Sequence, residues 1–257
     1  MSDHSPSSSR EMLDRVLRDT STPTGTRRWL LERAAVGAAG VIAASAAIPA
    51  AGAAAGRQDS VHDVGVFTST TEALTVTILT ELVRRTRLDP EVPRDVSVIF
   101  DAVYAAELAH WNFISQHFRA STKRFWIPDG FFGGAGDALD LTAVGKGVSA
   151  GETLFINTYL VAVTTFAEAG RSKFARYAAE AAGDESEHRV LGQTLAGASP
   201  PNNRGFELFA FERVGQIENA LMGAGIGLGR QAESAGRFYD FPEPPMAPIA
   251  IESTEPR

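Results

Sequence analysis

The chain has no cysteine, which removes disulfides, thiol catalysis, zinc fingers and iron–sulfur clusters in one step. It also lacks an excess of positive charge. Lysine and arginine number 24 against 31 acidic residues, for a formal net charge of −7. No basic stripe runs along it, so it is a poor partner for nucleic acid. Histidine is scarce, with five among 257 residues. No segment alternates convincingly as a strand, and no phosphate-binding loop occurs. What remains is ample for a packed core: 44% apolar and 21% charged residues, a balance that argues against disorder overall. Absence of cysteine fits either redox compartment, so localisation rests on the N-terminus.

Residues 1–55 read as an address. A polar stretch leads to Thr26, Arg27, Arg28, Trp29, Leu30 and Leu31, and then to an uncharged run from Ala34 to Gly56. A positive flank, a modest apolar segment and small residues at its end are the parts of a secretion signal. The paired arginines before Leu30 and Leu31 resemble a twin-arginine signal, which implies the twin-arginine export machinery as a partner and an exported protein. Cleavage after Ala53 or Ala55 leaves an acidic mature chain in the periplasm, cell envelope or medium. Retention of the segment instead makes it a membrane anchor, and an Ala-rich core helix is the third reading.

Beyond a linker at 56–67, the pattern is helical. Val76, Leu79, Leu82 and Val83 space a helix over 68–87, which Pro90 and Pro93 break. Asp95 is the expected N-cap of a second helix reaching Phe118. Residues 119–150 form an irregular crossover rich in glycine and aromatics, Phe125 to Phe132 being its densest part. A third helix is expected over 150–169, and a short turn leads to a fourth ending near Gly197. These four, at 68–197, make two helical hairpins joined by a long crossover, an all-α four-helix bundle. A C-terminal extension at 198–240 is expected to hold a fifth helix from Phe206 to Ser234. The Pro-rich tail at 241–257 is expected to be mobile.

Two histidines stand in the same local pattern. Glu107 lies three residues before His110, and Glu185 three before His188. Three residues advance a helix by about 300°, so each pair projects from one side, a turn apart. That placement lets a carboxylate and an imidazole reach one metal ion. Counting from the hairpin turns at helical rise puts the matching depth near 72–75 on the first helix and 154–157 on the third. Glu72 occupies the former, and Glu152 lies within a turn of the latter. Glu81 and Glu168 sit too near the turns, and Glu81 also has Arg84 and Arg85 in reach for an exposed ion pair. Glu72 shares its stripe with Val76, Leu79 and Val83, where a carboxylate costs several kcal/mol unless paired, protonated or ligating. Glu72 precedes Glu107 by 35 residues and Glu152 precedes Glu185 by 33, so the two hairpins look like a duplication.

With one Glu and one Glu-x-x-His in each half, residues 68–197 resemble the ferritin-like domain family, including exported members with a twin-arginine leader. The resemblance implies two metal ions held by Glu72, Glu107, His110, Glu152, Glu185 and His188. Glu107 and Glu185 would bridge, and Glu72 and Glu152 would be outer ligands. Iron or manganese suits such a carboxylate-rich set, and zinc stays open. The implied function is redox chemistry on dioxygen or peroxide, as an oxidase or a catalase-like enzyme. Metal binding or stress protection without turnover is the alternative, and a structural bundle with buried ion pairs is the third. The crossover and fifth helix depart from a compact storage subunit. A homo-oligomer is compatible with all three.

Weaker signals surround this set. Tyr104, Tyr159 and Tyr177 fall on or beside the same faces, as hydrogen-bonding supports for the ligands or as core. Asp184 can orient or replace a ligand, although a surface role is its default. His117 lies two turns beyond His110, where it can guard an access path or serve the structure. The segment Phe125–Phe132 is expected to pack as a long connection. Gly223 to Gly229 mimics a dinucleotide loop without its strand or spacing, and is expected to let the fifth helix approach a neighbour.

Overall fold

Ser60 starts the first helix. Its hydroxyl accepts from the Asp63 N–H, and the Asp63 carboxylate accepts from the Ser60 N–H, a reciprocal cap that opens α1 at Val61 and not at Thr68. The computed structural model describes residues 58–133, 138–201 and 204–251. The expected twin-arginine segment and its cleavage sites lie outside these.

Four long helices dominate the described residues: α1 (Val61–Leu88), α2 (Arg94–Ser115), α3 (Leu141–Glu168) and α4 (Ser172–Leu195). The buried hydroxyls of Thr68 and Thr71 on α1 donate to carbonyls one turn back, which lets polar side chains sit in the interior. Asp89 caps the end of α1 through its own N–H to Arg85, and Pro90 follows. Pro93 is the N-cap of α2, and Asp95 stands inside the first turn. Asp140 caps α3 by accepting from the N–H groups of Thr142 and Ala143, so this helix begins nine residues before the expected 150.

The helices pair as α1–α2 and α3–α4, and α1 packs on α3. The second hairpin is the tighter. A Cβ on Gly145 would stand 2.6 Å from the Gly192 carbonyl oxygen, and one on Gly192 would stand 3.0 Å from that of Gly145. Backbone therefore meets backbone between α3 and α4, which only glycine allows. Leu74, Leu82, Ile114 and Phe166 are fully buried in the shared core. Burying each such side chain contributes about 1.5–3 kcal/mol.

The crossover carries more order than expected. Strand β1 (Arg124–Pro128) is the centre of a three-stranded antiparallel sheet, between β2 (Gly227–Leu228) and β3 (Gly236–Asp240). Phe125 and Ile127 on β1 are fully buried, and Phe132 lies beneath the Arg85 guanidinium at 4.5 Å. Packing is thus the role of this aromatic segment. Arg85 itself is buried beside Glu81, so that ion pair is half interior, not exposed as expected.

The C-terminal part departs most from expectation. The fifth helix, α5, spans only Val214–Gly223. It ends where Gly225 takes φ +86° and Ile226 N–H returns to the Leu221 carbonyl, the signature of a glycine stop. The glycine run therefore ends a helix and starts β2; Gly227 lies against the Arg230 carbonyl and Trp126, where a side chain would collide. Two residues after 240 pack on the helices. Phe241 is buried with its ring 4.5 Å from Trp111, and Tyr104 donates to the Met246 carbonyl at 2.8 Å. The tail expected to be mobile from 241 makes these contacts at Phe241 and Met246, and 252–257 lie outside the described residues. None of the described helices is long and apolar enough to cross a membrane.

Candidate metal centre

All four long helices send acidic side chains to one depth. Glu72 comes from α1, Glu107 and His110 from α2, Glu152 from α3, and Glu185 and His188 from α4. All six expected residues lie together and buried. They form two overlapping groups. Glu72, Glu107, His110 and Glu185 offer atoms within 4.8 Å of one another, as do Glu107, Glu152, Glu185 and His188. Glu107 and Glu185 belong to both.

The first group centres on one imidazole nitrogen. His110 Nδ1 lies 3.9 Å from a Glu72 oxygen, 3.6 Å from Glu107 and 3.8 Å from Glu185. It makes no hydrogen bond among the described residues. Its other nitrogen, Nε2, is 3.1 Å from Asp184 Oδ2. A proton on Nε2 shared with Asp184 leaves the Nδ1 lone pair facing three carboxylates, an arrangement that repels unless a cation lies among them. Two atoms each about 2.1 Å from one ion are roughly 3.0–4.2 Å apart, which matches these separations.

The second group is joined more closely. His188 Nδ1 lies 2.8 Å from Glu107 Oε1, without hydrogen-bond geometry, and 3.3 Å from Glu185 Oε2 with it. Glu152 completes the group from α3, and its Oε2 has no hydrogen-bond partner among the described residues. Unsatisfied oxygens of Glu72, Glu107 and Glu185 face the same space. A buried acceptor left without a partner costs about 1–3 kcal/mol, more if charged. This concentration of orphaned atoms fits a metal ion, and the buried Glu/His cluster can hold one.

In the metal-free chain, protons supply the missing positive charge. Burial pushes the carboxyls of Glu72, Glu152 and Glu185 up, and repulsion from neighbouring carboxylates adds to it. Burial opposes the charge on Glu107 as well, but the imidazoles of His110 and His188 hold its carboxyl well below the usual range. Against their own desolvation, Asp184 raises His110 and Glu107 raises His188.

Two tyrosines support the cluster. Tyr159 donates to Glu72, and its oxygen is 3.0 Å from that of Tyr177, which in turn contacts the His110 carbonyl at 3.3 Å. Burial pushes both phenols up, so they stay neutral donors. Tyr104 does not join them; it holds the C-terminal segment instead. His117 packs between the rings of Phe113 and Phe174. Asp184 is the residue whose role the sequence understates. It is 55% exposed, as a surface residue would be, yet it fixes His110 on another helix. Its sequence signal is its place four residues before His188.

Comparison with known proteins finds no match among family models, curated proteins or solved structures. The functional reading therefore rests on the residues of this chain.

Proposed function

We propose that the chain is an exported ferritin-like protein whose four long helices form a dimetal-carboxylate bundle for redox chemistry on dioxygen or peroxide. Two iron or manganese ions are the cofactors this reading takes. The observation that carries it is His110 Nδ1, buried, unbonded and ringed by three carboxylate oxygens at 3.6–3.9 Å. Arg27 and Arg28, ahead of an uncharged small-residue run, support export through the twin-arginine machinery as a folded, metal-loaded protein.

Bound ions of this kind supply Lewis acidity and one-electron steps to small oxygen species. The chain supplies the rest. Glu107 and Glu185 serve both groups and tie the two hairpins together. Asp184 holds His110 with its Nδ1 lone pair inward, and Tyr159 steadies Glu72. Leu74, Leu108 and Phe155, on three of the same helices, belong to the buried apolar core. Protons leave Glu72, Glu152 and the histidines when cations take their place.

Sustained turnover of hydrogen peroxide or dioxygen by metal-loaded protein, absent from a Glu107→Ala, Glu185→Ala variant, is the expected result. A fully loaded protein that turns over neither would overturn the redox reading. Metal retention without turnover then stands, favoured by the near-complete burial of all four carboxylates, which are at most 4% exposed.

A further inference from the structure

α3 and α4 lock backbone to backbone at Gly145 and Gly192, whereas α2 and α4 meet only sparingly. The gap between α2 and α4 is a cavity of about 320 Å³ that reaches His110 and His188. Three short side chains, Ala102, Ala106 and Ala109, leave this room on the α2 side. Ile99 and Val103 from α2 and Leu191 from α4 give it aliphatic walls, and Ile251 adds another from the C-terminal segment. Asp184 and Glu187 supply its carboxylates, and no lysine or arginine lines it among the described residues.

Size and chemistry restrict the occupant. The volume is at the lower end of the roughly 300–1,000 Å³ of small-molecule sites, too small for a nucleotide cofactor. An anion would meet Asp184 and Glu187 at once, and the positive charge of His110 and His188 is already matched by Asp184, Glu107 and Glu185. A strongly hydrated inorganic cation gains nothing from four aliphatic walls. An ammonium group on an apolar body gains from both parts of the site. Asp184 engages His110 through Oδ2 and has a second oxygen, and Glu187 is exposed.

We infer that this cavity binds a small primary amine with an apolar body, its nitrogen at Asp184 and Glu187 and its hydrocarbon against Ile99, Val103 and Leu191. As a substrate site it rests on the metal centre proposed above; as a binding site it does not, because its walls are protein alone.

The test uses the metal-free full chain with 13C-labelled isoleucine, leucine and valine methyls, titrated with benzylamine, benzyl alcohol and benzoate near neutral pH. Benzylamine should give saturable shifts at Ile99, Val103 and Leu191, benzyl alcohol weaker ones, and benzoate none. Glu187→Gln, a surface change that the fold tolerates, should weaken benzylamine about three- to fivefold and leave benzyl alcohol unchanged. Ala106→Phe should fill the cavity and abolish both. Metal content of the same variants, measured in parallel, should equal that of the parent chain. Amine binding by a chain that never takes up metal would support this site and sink the metal reading. Benzoate binding as well as benzylamine does, no saturable shift at these methyls, or an unchanged benzylamine affinity in Glu187→Gln would overturn the inference.

Discussion

His188 Nδ1 on α4 lies 2.8 Å from Glu107 Oε1 on α2, so each hairpin's Glu-x-x-His reaches into the other's. Glu107 and Glu185 are therefore common to both groups, whereas Glu72 and Glu152 each belong to one. Replacing Glu107 or Glu185 by alanine should remove both ions, and replacing Glu72 or Glu152 should remove about one of about two. Metal per chain in the four single variants distinguishes this from an undivided cluster, for which all four would lose the same amount.

As pH rises, metal-free stability should fall and the stabilisation by added metal should grow. His110, His188, Glu72, Glu152 and Glu185 all have folded pKa values above their ordinary ones. Each therefore contributes stability that is full below its unfolded pKa and lost as pH rises through the folded one. Glu107 runs the other way, losing its contribution only in acid. Between about pH 5.5 and 8 the raised groups set the slope, so the metal-free chain should lose Tm as pH climbs. Fewer protons then compete for the ligands, and the rise in Tm on adding Mn(II) should grow over the same interval. Thermal scans with and without the ion check this; a gap that shrinks with pH would contradict it.

Asp184 is a positioning residue, reaching the centre only through His110. Asp184→Ala should lower metal affinity about 10- to 100-fold, the usual effect of losing such a support. Being half exposed, it should change metal-free stability by less than about 1 kcal/mol. Competition with a metal-sensitive dye and urea unfolding give the two numbers. Equal losses in both would mark Asp184 as structural.

Tyr159 is fully buried and donates to Glu72. Tyr159→Phe should destabilise the metal-free chain by about 1–3 kcal/mol, because Glu72 loses its hydrogen bond where water cannot replace it. Chemical denaturation measures this directly. An unchanged midpoint would leave Tyr159 as core packing.

The cluster was legible because helices convert sequence spacing into depth. Glu-x-x-His fixes a side and a level, and a fixed rise carries that level back through a short turn to Glu72 and Glu152. The same arithmetic is silent on contacts between helices distant in sequence, which is why Asp184 read as surface and Tyr104 as a neighbour of the site. The sheet was hidden for a different reason. Phe125, Trp126 and Ile127 are all buried, so β1 shows an apolar run and no alternation, and β2 is only two residues long. The short α5 turns on Gly225, whose positive φ stops the helix inside a stretch of helical composition. The early start of α1 was available in Ser60 and Asp63, a capping signal outweighed by the weak apolar spacing that follows it.

Metal content of the full chain bears most directly on all of this. Protein purified from its native compartment, or reconstituted anaerobically with Fe(II) or Mn(II), should carry about two ions per chain by elemental mass spectrometry. A His110→Ala, His188→Ala variant should lose them. Parent protein that stays metal-free under both conditions would leave the helices intact and contradict the chemistry assigned to them.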